Sequence, residues 1–319
     1  MHATHSIETP LNAVGAVSIL RIVSSDFDTV FQALNVKPVK NRQIRLASVL
    51  GLDDALLARF DDASLLIMPH GGIGITRAIS HALTGLGFER SEPSDPLVLY
   101  PEAQDIHEAR MLVALSTYTS PMAVDLLLDQ PRRWRESPDA ESHADASVLN
   151  RLLVPPLVVA IGRANIGKSS LVNALAGTSV AMVSGIAGTT RDHVGVLLNL
   201  GGLAVRWIDT PGIDEQVTVG DELAIVEPVI QAADLIVHAI GHQDADGDLD
   251  PRLAHLISPT TPILRLGVRS DLGQSLVETD LSCSAMTSAG IESLATAINH
   301  RLIDPAALND PLPWRYWDS

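Results

Sequence analysis

The stretch Val158-Val-Ala-Ile-Gly-Arg-Ala-Asn-Ile-Gly-Lys-Ser-Ser-Leu-Val-Asn-Ala-Leu175 decides the fold of this chain. The apolar run from Leu157 to Ile161 predicts a buried parallel strand, and the leucines and alanines after Lys168 predict an amphipathic helix. Between them lies the pattern G-x-x-x-x-G-K-[ST] of a P-loop, whose glycines let backbone N–H groups surround a phosphate. The stretch therefore predicts a strand, a phosphate-binding loop and a helix.

The side chains of this loop have distinct predicted roles. Lys168 supplies positive charge to the β- and γ-phosphates, and the hydroxyl of Ser169 is a ligand for Mg²⁺. The helix N-terminus that follows favours the same anion. The loop residues predicted to bind nucleotide are Gly162, Asn165, Ile166, Gly167, Lys168, Ser169 and Ser170.

The rest of the pattern predicts an α/β protein with a P-loop NTPase domain, which is a doubly wound, mostly parallel sheet. Strand-like and helix-like segments alternate from Leu157 to about Asp304. Upstream, a small α+β domain is predicted, with strands at 14–23, 42–52 and 63–68, a helix that runs to Leu34 after the cap Ser24-Ser25-Asp26, and a helix at 73–86. The predicted limits are 1–104 for the α+β domain, 105–130 for a helical segment, 131–150 for a polar linker, 151–304 for the nucleotide domain and 305–319 for an aromatic tail that is either docked or disordered.

Size and charge narrow the class of protein. The chain has 319 residues, enough for two domains, and its net charge of -16 argues against general adhesion to nucleic acid or to anionic membranes. The single cysteine excludes an internal disulfide and indicates a reducing compartment. No apolar run approaches the roughly 18 residues of a membrane span, and the N-terminus lacks the layout of a signal peptide. We therefore expect a cytoplasmic protein with no membrane contact.

Two further motifs follow the P-loop in the order that a GTPase requires. Ser184-Gly-Ile-Ala-Gly-Thr-Thr-Arg-Asp192 can close over the γ-phosphate, and Thr190, preferred here to Thr189, completes the Mg²⁺ shell. Asp209-Thr-Pro-Gly212 ends a predicted strand. Its carboxylate is expected to bind Mg²⁺ through water, and the glycine N–H can sense the γ-phosphate.

The base-binding motif departs from the usual Asn/Thr-Lys-x-Asp and reads Val268-Arg269-Ser270-Asp271. The carboxylate of Asp271, which accepts two guanine N–H groups, is kept, and the stem of Arg269 can lie along the base. The amide that reaches the Hoogsteen edge is replaced by Val268, a loss of about 1 kcal/mol. We expect weaker GTP binding without a change of base. Ser284 and Ala285, in a Cys-Ser-Ala-Met loop, are predicted to support the base.

These motifs resemble those of the MnmE (TrmE) tRNA-modification GTPases, with Era and Der as close relatives. The resemblance implies that Asn165 is a K⁺ ligand, that Ser184 and Ile186 add backbone carbonyls, and that K⁺ assists hydrolysis when two G domains meet. It also implies a water-positioning glutamate, for which Glu222 is the candidate and Asp221 competes. The catalytic residues so implied are Lys168, Thr190, Gly212 and Glu222.

The resemblance extends to the first domain through Val17-Ser-Ile-Leu-Arg-Ile22 and Pro69-His-Gly-Gly72. It implies a homodimer through this domain or the G domains, a formyl-tetrahydrofolate facing Arg21, an MnmG-like flavoprotein partner and an indirect role of tRNA. The family's C-terminal Cys-x-Gly-Lys does not occur in the 319 residues, so we expect a shortened relative. The alternative hypothesis is a nucleotide-binding regulatory or scaffold protein with little hydrolysis. An Era-like role in ribosome assembly ranks lowest because only a short tail follows the G domain.

Overall fold

The structure, a computed structural model, describes residues 3–9, 16–59, 61–92, 95–100, 102–117, 120–139, 146–178, 195–212, 221–245 and 247–317. The chain divides into two compact units, Met1–Thr117 and Tyr118–Ser319. The predicted limits of the domains on either side of the linker remain predictions.

The first unit is a mixed α/β layer. Its elements are β1 (Ala3–Ile7), β2 (Leu20–Ser24), α1 (Phe27–Ala33), β3 (Gln43–Val49), β4 (Asp53–Arg59), β5 (Ser64–Met68), α2 (Ile73–Gly85), β6 (Glu89–Arg90), α3 (Pro96–Leu99) and α4 (Ile106–Thr117). The strand order is β3-β4-β5-β2-β1-β6, antiparallel except for the parallel pair β1 and β6. One face of this sheet packs on α1 and α2 through a core that includes Leu20, Ile22, Phe31, Ile67 and Ile79.

Most predicted elements of this unit are confirmed. The carboxylate of Asp26, the last residue of the predicted cap, accepts a hydrogen bond from the backbone N–H of Thr29 and caps α1. Helix α2 ends within one residue of its prediction. The sequence missed β1, and it merged β3 with the turn that precedes β4. Strand β4 was missed because its acidic start and alternating small residues give a weak strand signal.

The second unit carries the P-loop. Its elements are α5 (Ala123–Glu136), α6 (Ala146–Asn150), β7 (Leu157–Ile161), α7 (Lys168–Thr178), β8 (Val196–Leu200), β9 (Leu203–Asp209), α8 (Asp221–Gln231), β10 (Leu235–Ile240), α9 (Pro251–Ala254), β11 (Ile263–Gly267), β12 (Leu281–Ser282), α10 (Ile291–Leu302) and α11 (Pro305–Leu308).

The sheet of this unit has the order β12-β11-β10-β7-β9-β8, and it is parallel except for the antiparallel pair β8 and β9. Strand β7 is fully buried in the centre. The chain continues from β7 to one side of the sheet and later returns to its other side, so the P-loop lies at the switch point where ligands bind in such sheets. The predicted P-loop NTPase fold is confirmed.

The predicted linker differs from the structure. Residues 131–136 form the end of α5, and 146–150 form α6. Pro131 lies inside α5 and is buried on the same helical face as Leu127 and Trp134. The sequence does not predict the end of this helix because a proline and three arginines interrupt its apolar spacing.

The aromatic tail is docked within the second unit. Trp314 is 1% exposed, and its backbone N–H donates to Oε1 of Gln130 at 2.6 Å. Nε1 of Trp134 donates to the Trp314 carbonyl at 3.2 Å. Of the two alternatives for the tail, docking therefore describes residues up to 317. In the part of the chain that the structure describes, no helix is both long and apolar enough to cross a membrane.

Candidate nucleotide-binding site

The P-loop connects β7 to α7 and holds its lysine inward. Lys168 is 6% exposed, and its Nζ donates to the carbonyls of Gly162 at 3.1 Å and Arg163 at 3.0 Å. The ammonium group therefore lies across the loop, on the path where phosphate oxygens bind. A phosphate bound in the loop would take the place of these carbonyls as the acceptor for the Lys168 ammonium group.

Two glycines of the site are required by close approach of other backbone. Gly162 has φ of 150°, and a Cβ there would meet the carbonyl oxygen of Ala239 at 2.5 Å. A Cβ at Gly212 would overlap the backbone of Ala164 inside the P-loop. The D-T-P-G turn thus packs directly on the phosphate-binding loop, as a γ-phosphate sensor requires.

A serine and an aspartate from separate elements form the pair suited to Mg²⁺. Oγ of Ser169 donates to Oδ2 of Asp209 at 2.5 Å. Oδ1 of Asp209 is buried and has no hydrogen-bond partner among the described residues. A hydroxyl and a carboxylate are the hard oxygen ligands that Mg²⁺ takes beside phosphates, so these residues fit the ion. Within the described ranges no cluster of three or more His, Cys, Asp or Glu could hold another metal.

Asn165 and Arg269 form a bridge between the P-loop and the base motif. Both have φ near 57° (58° and 57°), in the left-handed region that asparagine tolerates better than most residues. Nη2 of Arg269 donates to the Asn165 carbonyl at 2.5 Å. The arginine stem passes over Gly167, where a Cβ would lie 3.4 Å from Nε of Arg269. The predicted placement of this stem along the base remains a prediction.

Two adjoining cavities enclose the site. A phosphate-side cavity of about 630 Å³ is lined by Ala164, Asn165, Gly167, Lys168, Ser169, Ser170, Asp209, Thr210, Pro211, Gly212 and Arg269. A base-side cavity of about 610 Å³ is lined by Ile166, Gly167, Ser170, Leu171, Asn173, Ala174, Val268, Arg269, Asp271, Leu272, Cys283, Ala285 and Met286. They share three residues, Gly167, Ser170 and Arg269. Together they have the two-part shape that a nucleotide needs.

The base-side cavity holds one carboxylate in a fixed orientation. Oγ of Ser284, which is fully buried, donates to Oδ1 of Asp271 at 2.5 Å. Asp271 is itself one of the residues that line this cavity. Val268 is 4% exposed, and beside it burial raises the pKa of the Cys283 thiol to about 11. This thiol is therefore neutral near pH 7 and gives the cavity an apolar floor.

The structure brings most predicted site residues together, and it leaves some outside the described residues. Lys168, Asp209, Gly212 and three base-motif residues, Val268, Arg269 and Asp271, line the two cavities. The predicted residues Gly162 and Ser284 are not among the residues that line them. Ser184, Ile186 and Thr190 lie outside the described residues, and so does the side chain of Glu222 on α8. The K⁺ and water-positioning roles therefore remain predictions.

Arg21 belongs to the other unit and is occupied by protein groups. Its Nε lies 3.4 Å from Oε1 of Glu8, and its Nη1 donates to Oγ of Ser64 at 3.4 Å. The predicted folate contact remains a prediction.

Sequence reasoning missed Thr210 and Asn173. Oγ1 of Thr210 donates to the Ala160 carbonyl at 2.8 Å and ties the D-T-P-G turn to β7. Asn173 lines the base-side cavity from α7. Its spacing of three residues from Ser170 would have identified it, because i and i+3 share a helix face.

Comparison with known proteins finds similarity to GTPases. Residues 157–265 match a family model described as 50S ribosome-binding GTPase. Over 93% of its length the chain is 28% identical to the tRNA modification GTPase MnmE of Acidiphilium cryptum, of which it covers 81%. A shorter alignment of 144 residues is 40% identical to MnmE of Methylorubrum populi and covers 44% of this chain and 31% of that protein. Among solved structures, Aquifex aeolicus Era bound to GDP and AlF₄⁻ is 26% identical with a TM-score of 0.36, over 46% of this chain and 57% of that one.

These matches confirm two predictions. The chain is similar to MnmE GTPases over most of its length, and its second unit contains a P-loop GTPase domain.

Proposed function

We propose that this chain binds GTP with Mg²⁺ and hydrolyses it with the assistance of K⁺, as part of an MnmE-like system that modifies the wobble uridine of tRNA. One observation carries the nucleotide chemistry. The P-loop lysine, the Ser169–Asp209 pair and Asp271, which accepts a hydrogen bond from Ser284, line two adjoining cavities that share three residues. This arrangement supplies a cation, a metal-binding pair and a guanine-selective acceptor along one path.

Each residue of the site has a role in the proposed reaction. Lys168 exchanges the Gly162 and Arg163 carbonyls for β- and γ-phosphate oxygens. Ser169 and Asp209 would hold Mg²⁺, which supplies charge to the phosphate oxygens when it is bound. The backbone N–H of Gly212, packed on Ala164, reports whether the γ-phosphate is present.

The K⁺ part of the proposal depends on Asn165 together with the carbonyls of Ser184 and Ile186. Thr190 would close the Mg²⁺ shell, and Glu222 would orient the attacking water. Support comes from the place of Asn165 in the lining of the phosphate-side cavity.

The proposed partners follow from the similarity to MnmE. We expect a homodimer through the first unit, an MnmG-like flavoprotein, indirect contact with tRNA, and a formyl-tetrahydrofolate facing Arg21. Support for the dimer comes from apolar side chains on the outer face of the first sheet. Leu46 is 65% exposed and lies directly opposite Leu56, which is 40% exposed.

Calorimetry with GTP, GDP and ATP on the full chain tests the proposal. We expect both guanine nucleotides to bind and ATP to bind at least about tenfold more weakly, since Asp271 accepts the guanine donors. The variant Asp271→Ala should lose most of this preference, and Glu278→Ala, on an acidic side chain outside both cavity linings, should keep it. A preference for ATP would contradict the base assignment.

A second candidate function is nucleotide binding with little hydrolysis, in a regulatory or scaffold protein. It is favoured by Val268, which leaves the base motif without its amide. Guanine nucleotide binding without phosphate release in KCl would select this function.

A further inference from the structure

The base-side cavity offers very different chemistry to the two edges of a purine. Guanine has donors at N1 and N2 on one edge, and acceptors at O6 and N7 towards the other. Asp271 is acceptor-only when ionised, and Ser284 fixes its Oδ1. Val268, which follows the end of β11, has no polar side-chain atom, and its backbone N–H already donates to the Ile240 carbonyl at 2.9 Å. Val268 therefore offers no hydrogen-bond donor to a base in this cavity.

We propose that Val268 makes this site indifferent to N7 of guanine, so that it selects the base through the donor edge facing Asp271 and accepts guanine nucleotides altered at position 7. This inference rests on the proposed function, because it describes how the same site reads its substrate. The ligand class is a guanosine phosphate with carbon in place of N7, which keeps N1–H and N2–H₂.

Three other side chains that line this cavity carry hydrogen-bond donors, namely Ser170, Asn173 and Arg269. Nη2 of Arg269 donates to the Asn165 carbonyl. Ser170 and Arg269 lie where the cavity joins the phosphate side. Asn173 approaches from α7, which begins at the P-loop and continues from the phosphate site. Among the described lining residues it is the side-chain amide that could replace the missing one, and it is therefore the competitor that an experiment must exclude.

Competition against a fluorescent GDP on the full chain tests the proposal with GDP, 7-deaza-GDP and IDP. For the unaltered chain we expect 7-deaza-GDP to bind within about twofold of GDP, because Val268 has no side-chain donor for N7. IDP lacks the N2 amine that donates to Asp271, so its affinity should fall by about tenfold or more.

The variant Val268→Asn, which adds a side-chain donor, should distinguish GDP from 7-deaza-GDP. GDP should bind about fivefold more tightly, the gain expected from one hydrogen bond, and 7-deaza-GDP should be unchanged. The matched control Val268→Ala removes volume and adds no donor, so both nucleotides should change by the same factor. The comparison of nucleotides on the unaltered chain decides the matter even where a variant fails to fold.

A loss of more than about fivefold for 7-deaza-GDP on the unaltered chain would overturn the proposal, since that is the value of one hydrogen bond. If that loss disappears in Asn173→Ala, the amide of Asn173 is the N7 donor. Failure of every guanine nucleotide to bind is a different result, which removes the proposed function itself.

Discussion

Gly212 is the residue at which the two motifs of the phosphate site touch. A side chain there would overlap the backbone of Ala164 in the P-loop. The D-T-P-G turn cannot shift towards Ala164 without disturbing the P-loop, which also holds Lys168. The glycine therefore couples the D-T-P-G turn to the phosphate position.

We expect Gly212→Ala to slow phosphate release from GTP by about a hundredfold, because a displacement of about 1 Å at a reacting group can cost that much. Single-turnover hydrolysis measures the effect. The matched control is Gly177→Ala on α7, where an added Cβ meets nothing within 4 Å. That variant should keep its rate and gain up to about 1 kcal/mol of stability. Equal rates for Gly212→Ala and the unaltered chain would show that the turn does not act on the P-loop.

His238 gives the second unit a predictable response to acid. It is 9% exposed on β10, and burial lowers its pKa below the ordinary value of 6.5. The neighbouring Arg265 lowers the pKa further, and Asp244 and Asp248 oppose the shift. As the pH falls, the unfolded chain binds this proton before the folded chain does.

The contribution of His238 to stability is therefore present above its unfolded pKa, and it is lost as the pH falls from there through the lower folded pKa. Urea unfolding from about pH 8 to about pH 5.5 should show a free energy that falls by up to about 1.4 kcal/mol per pH unit for this proton. His238→Gln should flatten the profile. His255→Gln, at an exposed histidine, is the control and should leave the profile as it was. Parallel profiles for His238→Gln and the unaltered chain would contradict the assignment.

At the scale of elements, α5 and the C-terminal segment stabilise each other. The Trp314 side chain is buried, and its Nε1 donates to Oδ1 of Asn150 at 3.1 Å. Nη1 of Arg133 donates to the Asp310 carbonyl at 2.5 Å. The segment thus packs against α5 and the last residue of α6.

Trp314→Ala should lower the free energy of unfolding of the second unit by about 3 to 5 kcal/mol, the usual cost of removing a buried tryptophan. Chemical denaturation followed by circular dichroism measures it. Leu312→Ala, at a side chain that is 43% exposed, is the matched control and should change stability by less than about 1 kcal/mol. A Trp314→Ala variant as stable as the control would mean that the segment does not hold α5.

The elements that the sequence predicted are those whose signal is local. The apolar run of β7, the glycine loop and α7 follow one another without interruption, and the Asp26 cap marks α1. Helix α5 extends beyond its prediction, and the buried Trp134 in this extension donates to the carbonyl of Trp314, which is 180 residues away. Helix propensity depends on neighbouring residues, so it cannot report a contact between residues so far apart in the chain.

The site residues predicted from the sequence are likewise those that belong to local motifs. Motif spacing predicted Lys168, Ser169, Asp209 and Asp271 as site residues, and the structure brings them to the lining of two adjoining cavities. The contact of Arg269 with the Asn165 carbonyl joins residues 104 positions apart, and no pattern in either motif specifies it. Such contacts depend on how the strands pair.

At the scale of the whole molecule, the first unit presents the β3–β4 patch, which we define as Ile44, Leu46 and Leu56. Ile44 is 62% exposed and Leu46 is 65% exposed, on a strand at the edge of the sheet. Exposed edges with apolar side chains favour association with another chain. The proposed homodimer would cover this patch.

Leu46→Glu should therefore weaken self-association by at least about tenfold, since it places a charge in an apolar interface. Sedimentation velocity on the full chain measures the monomer fraction. Val98→Glu on α3, where the side chain is 52% exposed, is the matched control and should remain associated. A monomeric unaltered chain, or a Leu46→Glu variant that stays dimeric, would contradict a dimer through this patch.

The GTPase assignment for the molecule is decided by phosphate release from GTP with Mg²⁺, measured in KCl and in NaCl on the full chain and on Lys168→Ala. We expect turnover in KCl to be at least about tenfold faster than in NaCl, because K⁺ at Asn165 would supply charge to the transition state, and turnover to be lost in Lys168→Ala. Equal slow release in both salts would remove the K⁺ role of Asn165. Release from the Lys168→Ala variant at the rate of the unaltered chain would contradict the assignment of this P-loop as the site of hydrolysis.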